Sequence, residues 1–379
     1  MYVITEQKEA ARAAVRQARA QGRPVIKVGV DAHLSGLVVV VQHDETSQKA
    51  PVKADAGRLE WQVAGWCRSG ASVFACYEAG PLGFGLQRRL AAAGAYCLVV
   101  RPRTLDEYSA RIKTDRRDAA ALCGNLDRFL YGNDQALALV SVPTEEEERW
   151  RAPGRERGHL ARQRRREVQS FRGVCLAHGV VLEDKWTGPR QWLRYRELLP
   201  PALHAQGERM IARVRLLEQD LGLLEEQLTS ALPTPPPYGV GRLTSALVDR
   251  EVIQWDRFRC RQQVASFFGL VPSEHSTGTS IRRGSITKQG NGVLRQLMIE
   301  AAWRLMRFQP GYCRVKKWRG ILADPKAGSA RRKKAIVALA RAFAVDLWRL
   351  RTGRTTPAKL GLADAAALEH ALSEEARTA

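Results

Sequence analysis

Four carboxylates stand where a metal-dependent phosphoryl transfer would need them. Asp31 closes the run Val25-Ile26-Lys27-Val28-Gly29-Val30, and Glu78 closes Ser72-Val73-Phe74-Ala75-Cys76-Tyr77. Asp115 and Asp118 lie three apart at the start of a helical stretch, so both face one side of it. Carboxylates delivered by strand ends and one helix face can converge on Mg2+ or Mn2+. Two such ions about 4 Å apart stabilise the attacking and leaving oxygens of a phosphodiester. Each acid also has a plain structural use. Asp115 suits a helix start because the helix dipole favours an acid there, and Asp31 can end a strand by bonding a turn.

The elements that must position these acids follow from the apolar pattern. Val25 to Asp31 and Leu37 to Val41 read as two strands joined through Ser35-Gly36. A helix is expected near residues 57–68, a strand over Ser72 to Tyr77, a helix over Leu82 to Ala93, and a strand over Ala95 to Val100. The order β-β-α-β-α-β implies a mixed sheet with helices packed on it. Residues 1–24 read as a basic helical leader, residues 25–140 as the acid-bearing α/β domain, residues 141–232 as a charged helical arm, and residues 233–379 as a C-terminal domain. In the arm, Met210, Val214, Leu217, Leu221, Leu224 and Leu228 alternate steps of four and three, the a/d repeat of a coiled coil. A helix packed in a bundle and an antiparallel arm or oligomer seam both fit that row. Pro233-Thr234-Pro235-Pro236-Pro237 then ends any helix. Gly239-Val240-Gly241, before a helical stretch, fits either a phosphate-binding turn or an ordinary helix start.

Charge points to the partner. The 379 residues carry 61 Lys and Arg against 39 Asp and Glu, a net +22, and the pI is about 10.3, which on a folded chain indicates a polyanion, most simply nucleic acid. Residues 271–360 hold 20 Lys and Arg but 4 acids, so 16 of the net charges lie there. Lys316, Lys317, Arg331, Arg332, Lys333 and Lys334 are the phosphate-contact candidates of this region, with Arg314 beside the first pair. No apolar run approaches the ~20 residues of a membrane span. Seven scattered cysteines without a CxxC pair argue against zinc or a disulfide framework and suit a reducing cytoplasm.

The wider pattern resembles a family. Val28-Gly29-Val30-Asp31-Ala32-His33, Cys76-Tyr77-Glu78-Ala79-Gly80-Pro81 and Lys113-Thr114-Asp115-Arg116-Arg117-Asp118-Ala119 resemble three blocks of the DEDD transposases of the insertion-sequence-110 family, nearest to its 1111 subgroup. A fourth match runs from Phe268-Gly269-Leu270-Val271-Pro272-Ser273-Glu274-His275-Ser276-Thr277-Gly278 to Gly284-Ser285-Ile286-Thr287-Lys288-Gln289-Gly290-Asn291. The resemblance implies an RNase H-like, RuvC-type domain, a coiled-coil arm and a mostly helical C-terminal transposase domain. It implies that Asp31, Glu78, Asp115 and Asp118 bind the divalent metal, and that a serine of the helical domain attaches covalently to a DNA end. It further implies donor and target DNA as substrates, a structured guide (bridge or seek) RNA from the same element, a dimeric or tetrameric assembly, and a place at the bacterial nucleoid.

The family's nucleophile stands just before the glycine that is Gly278 here. Counting back from it gives Thr277, whereas a primary hydroxyl, less crowded than a β-branched one, favours Ser276; Ser280 is more remote. His275 suits a structural or phosphate contact better than a general base. Arg282, Arg283 and Lys288 suit phosphate clamps, with Asn291 and Arg295 extending that surface. Two other classes compete with a recombinase. A hydrolytic RuvC-like nuclease or Holliday-junction resolvase needs the four acids but no hydroxyl nucleophile. A non-enzymatic basic nucleic-acid-binding protein needs neither.

Overall fold

The structure, a computed structural model, describes residues 2–80, 82–101, 114–183, 185–230, 232, 236–277 and 280–363; the side chains of residues 2–5 and 275–283 lie outside that description. The chain divides into two compact units, Met1–Pro143 and Thr144–Ala379.

The first unit contains α1 (Tyr2–Ala20), β1 (Val25–His33), β2 (Gly36–His43), β3 (Val52–Ala54), α2 (Ala56–Arg68), β4 (Ser72–Glu78), α3 (Gly85–Ala92), β5 (Tyr96–Val100) and α4 (Asp115–Leu130). The five strands lie in the order β3-β2-β1-β4-β5. β2 runs antiparallel to β1 and to β3, while β4 is parallel to β1 and to β5. β1 and β4 are central and covered on both faces, which is why they read as continuous apolar runs rather than alternating ones. One face holds Val28, Val30, Val73, Ala75 and Tyr77 against Leu59 and Val63 of α2 and Leu86 and Leu90 of α3. The other holds Phe74, Cys76, Leu98 and Val100 against Leu122, Leu126 and Phe129 of α4 and Ala11, Ala14 and Val15 of α1. The leader helix is therefore part of this core.

Gly29 sets how closely α4 approaches the sheet. A Cβ there would lie 2.3 Å from the Ala119 carbonyl oxygen and 2.4 Å from the Cys123 amide nitrogen. Both are helix backbone atoms, so relief requires moving α4 off β1. Gly29→Ala is expected to destabilise the protein by about 3 kcal/mol, the cost of overpacking a rigid contact. Chemical denaturation checks this through the midpoint at constant m. A change below about 0.5 kcal/mol, ordinary for a surface site, would show that the contact yields freely.

The second unit contains α5 (Glu145–Ala177), α6 (Pro189–Leu198), α7 (Pro201–Ser230), α8 (Arg242–Val252), α9 (Arg261–Phe267), β6 (Pro272–Thr277), β7 (Ser280–Ile286), α10 (Gly292–Phe308), α11 (Cys313–Leu322), α12 (Ser329–Arg351) and α13 (Pro357–Leu360). A capping box starts α5. Thr144 accepts from the Glu147 amide and Glu147 accepts from the Thr144 amide, with acids filling the first turn. α5 and α7 pack antiparallel, as the ladder Arg157–Glu225, Arg164–Glu218 and Glu167–Arg213 shows by its falling partner numbers.

The α7 apolar row thus finds its partner within the chain. Met210 and Val214 are buried with Phe171, Cys175, Trp186 and Trp192, Leu228 joins the C-terminal core, and Leu217, Leu221 and Leu224 between them are half-buried. The C-terminal core is built by α8 to α12 around Phe268, Met298, Leu305, Leu339 and Phe343. Within it, Asp346 is fully buried and accepts from the Tyr312 hydroxyl at 2.8 Å and from Arg314 and Arg349. Arg314 therefore serves the core rather than a phosphate. Gly239 also serves packing: a Cβ would meet Phe308 at 2.7 Å, and its carbonyl accepts from Arg304.

Candidate active site

The alternation of β1 against the four-residue repeat of α4 builds the site. Val28 and Val30 pack on the α2–α3 side, so Lys27, Gly29, Asp31 and His33 belong to the α4 side. Along α4, Asp115, Ala119, Cys123 and Asp127 recur every fourth residue and form one stripe. The two rows meet in opposite directions. At one end, the buried Lys27 ammonium pairs with Asp127 and donates to the Asp44 carbonyl at 2.6 Å. In the middle, Gly29 lies against Ala119 and Cys123. At the other end, the rows deliver Asp31, His33 and Asp115.

Those three side chains form the tight group among the described residues, with ligand atoms all within 4.8 Å of one another. His33 Nε2 donates to Asp31 Oδ2 at 3.0 Å and lies 3.6 Å from Asp115 Oδ1. Asp31 is 17% exposed, His33 48% and Asp115 62%, so the group is open to solvent on the helix side. Two carboxylates and an imidazole make a donor set that fits a divalent cation. The oxygens suit Mg2+, and the ring nitrogen adds affinity for Mn2+. His33 was not among the residues singled out from sequence, although its place two positions after Asp31 on a strand puts it on the same face.

Glu78 and Asp118 stand at the same end of the sheet and helix but outside this group of three. In β1–β4, Val30 pairs with Tyr77, so Glu78 follows beside Asp31; Phe74 and Cys76 place the even positions of β4 on the α4 side. Asp118 is half-buried in the first turn of α4. Neighbouring groups are not chemical competitors. Burial pushes the Tyr77 phenol well above its usual range, and its hydroxyl donates to the Gly83 carbonyl. Burial also pushes the Cys97 thiol up to about 12 and the Cys123 thiol up to about 11, so neither is a thiolate nucleophile.

In the second unit, the hydroxyl candidates lie on a β6–β7 hairpin in which Ser276 pairs with Ile281, Thr277 with Ser280 and His275 with Arg282. Gly278 and the side chains of Ser276, Thr277, Arg282 and Arg283 lie outside the described residues. The hairpin's neck explains the glycine-rich motif around it. Gly290 has φ +98°, and a Cβ there would lie 2.4 Å from the Ser266 carbonyl oxygen. The Asn291 amide donates to the Phe267 carbonyl, while its side chain caps α10 and donates to Glu251 at 2.7 Å. Arg295 Nη1 donates to the Lys288 carbonyl at 3.1 Å, so it braces the neck; Lys288 itself is exposed, with φ +56°. Farther along, Lys316 and Lys317 of α11 and Arg331, Lys333 and Lys334 of α12 are exposed, and Arg332 is half-buried.

Residues 237–315, the stretch holding the hairpin and its neck, match the family model described as the IS116/IS110/IS902 family of transposases. The chain is 32% identical to the putative transposase y4qE of Sinorhizobium fredii, over 65% of this chain and 62% of that relative. It is 30% identical to the putative transposase y4rJ of the same organism, over 72% of this chain and 75% of the relative. It is 27% identical to the transposase for insertion sequence element IS1111A of Coxiella burnetii, over 68% and 72%. The class of protein is thus a transposase, and the chain belongs to the IS116/IS110/IS902 family. No helix among the described residues is long and apolar enough to cross a membrane.

Proposed function

We propose that this chain is an RNA-guided DNA recombinase that breaks and rejoins strands through a covalent protein–DNA intermediate. Its metal site is Asp31, Glu78, Asp115 and Asp118 with His33 beside them, and its nucleophile is the hydroxyl of Ser276 or Thr277. The observation that carries the reading is the meeting of the β1 and α4 rows, which draws Asp31, His33 and Asp115 together at an open sheet end. The strand order, with an antiparallel β2 beside parallel β1, β4 and β5, supports an RNase H-like, RuvC-type first domain. Bound Mg2+ or Mn2+ supplies charge stabilisation to the attacking and leaving oxygens. The protein's own hydroxyl oxygen bonds phosphorus, and the bond from phosphorus to one sugar oxygen breaks. That sugar oxygen leaves carrying a proton, while the hydroxyl's own proton is given up at the site. Because the phosphodiester is exchanged rather than hydrolysed, a second transfer to another sugar hydroxyl reseals the strand without an external energy source. Cations such as Lys288, Lys316 and Arg331 hold the phosphates.

The partners in this reading are donor DNA, target DNA and a guide RNA from the element, acting on a dimer or tetramer of this chain. The test is to express the gene with its flanking DNA, sequence the RNA that copurifies, and measure joining of a donor to a target plasmid. Joining is expected to require an RNA from the flanks and to follow its sequence when that is altered. Joining at the same sites by RNA-free protein would overturn the guided reading.

A further inference from the structure

In the helical unit, α5, α7, α8 and α10 enclose a groove of about 1240 Å³. Its shape follows from small residues. Gly154, Gly158 and Ala161 recess the α5 wall, and Leu221 and Gly222 border it from α7. Its charge follows from which ions are already taken. Glu225 and Glu218 are paired with Arg157 and Arg164, and Glu251 accepts from Asn291 with Arg155 at 3.5 Å. Arg151, Arg162, Arg165 and Lys185 also line the groove, and none has a carboxylate partner among the described residues. Against these four cations stands Glu300, which accepts from Gln296, so the surplus is cationic although Arg and Glu nearly balance along the arm's sequence.

The spacing of that surplus suits a polyanion rather than a small anion. Arg151 and Arg165 both line the groove. Fourteen residues apart on α5, they are separated by about 21 Å, the reach of about six phosphates on one strand of a duplex. The aromatic in the lining, Trp186, is 1% exposed, so no ring is offered for a base to stack on. Its indole Nε1 is buried with no partner among the described residues. We infer that this groove is a nucleic-acid site distinct from the cations of α11 and α12, and that it grips the phosphodiester backbone of a duplex without reading bases. This goes beyond the proposed recombinase chemistry and does not depend on the metal site.

Fluorescence anisotropy on the full chain tests it, with a DNA duplex and an RNA hairpin stem of ~20 base pairs and unrelated sequences, between about 50 and 200 mM salt. The double variant Arg162→Gln/Arg165→Gln removes two groove cations. Arg166→Gln/Arg215→Gln removes the same charge from exposed positions outside the lining. The groove variant is expected to flatten the log affinity–log salt slope by about 2, equally for every sequence, and to weaken binding by about tenfold or more at the lower salt. The control variant should leave the slope unchanged, and both should melt as the parent does. A loss confined to DNA names DNA as the occupant, a loss confined to RNA names the guide, and either supports the groove. Equal losses in both variants, an unchanged slope in the groove variant, or a loss that depends on sequence would overturn the inference. Because binding is read without strand transfer, a failure of the metal-site reading leaves this result standing.

Discussion

Asp31→Ala is expected to lower strand transfer by at least a hundredfold while leaving the fold and nucleic-acid binding intact. Asp31 is the most enclosed member of the Asp31–His33–Asp115 group, and it sits on a central strand that cannot shift without disturbing the sheet. Among the described residues its side chain accepts one hydrogen bond, from the half-exposed His33, which contributes at most about 1 kcal/mol. Stability is therefore nearly blind to the change, whereas a divalent ion loses an anionic ligand from a small set. Asp31→Asn keeps the shape and removes the charge, and it should fail almost as completely. His33→Ala should act differently. Losing the nitrogen donor should weaken the site for Mn2+ more than for Mg2+, so the Mn2+-to-Mg2+ activity ratio should fall while Mg2+-supported activity changes less. A readout independent of activity is the rise in melting temperature on adding MnCl2, which the parent should show and Asp31→Ala should lose. Transfer by Asp31→Ala within about tenfold of the parent would remove Asp31 from the metal site.

Much of this site was legible because strand ends and helix starts announce themselves. Val25 to Val30 and Ser72 to Tyr77 are apolar on both faces, so the first acid after each marks where burial stops. His33 was less legible, since β1 outruns its apolar stretch and its last residues carry no hydrophobic signal. Two kinds of element escaped the pattern. β3 is a three-residue strand with Val52 exposed, too short to alternate. The β6–β7 hairpin is rich in Ser, Arg and Gly, and backbone pairing and its glycine neck, rather than an apolar face, define it.

The arm shows a third limit. The α7 row was readable, but its partner α5 buries only Phe171 and Cys175 and is held along the rest of its length largely by ion pairs. Periodicity of apolar residues cannot identify such a helix face. Counting charges by window also hid the groove, because Glu218 and Glu225 cancel arginines in a sum while neutralising only their own partners in space.

A covalent protein–DNA adduct is expected on denaturing gels, dependent on Mg2+ and on the guide RNA, and Ser276→Ala should eliminate it. A recombinase that cuts a strand and later reseals it can keep the phosphodiester energy in a bond to the protein, and exchange at a protein hydroxyl does so without water. Ser276 and Thr277 occupy neighbouring positions near the end of β6, paired with Ile281 and Ser280. A primary hydroxyl is the less crowded nucleophile, which favours Ser276; the count back from Gly278 favours Thr277, and Thr277→Ala is the paired measurement. The loss should be all or none, because a hydrogen bond can be weakened but a missing nucleophile leaves no intermediate to trap. Asp31→Ala should also lack the adduct, yet for a different reason that separates the two: raised Mn2+ should rescue some adduct in Asp31→Asn and none in Ser276→Ala. Peptide mapping of the adduct to any residue other than these two would refute the assignment. Free 3′-hydroxyl and 5′-phosphate ends accumulating without an adduct would instead identify a hydrolytic nuclease that uses the same acids with water as the nucleophile.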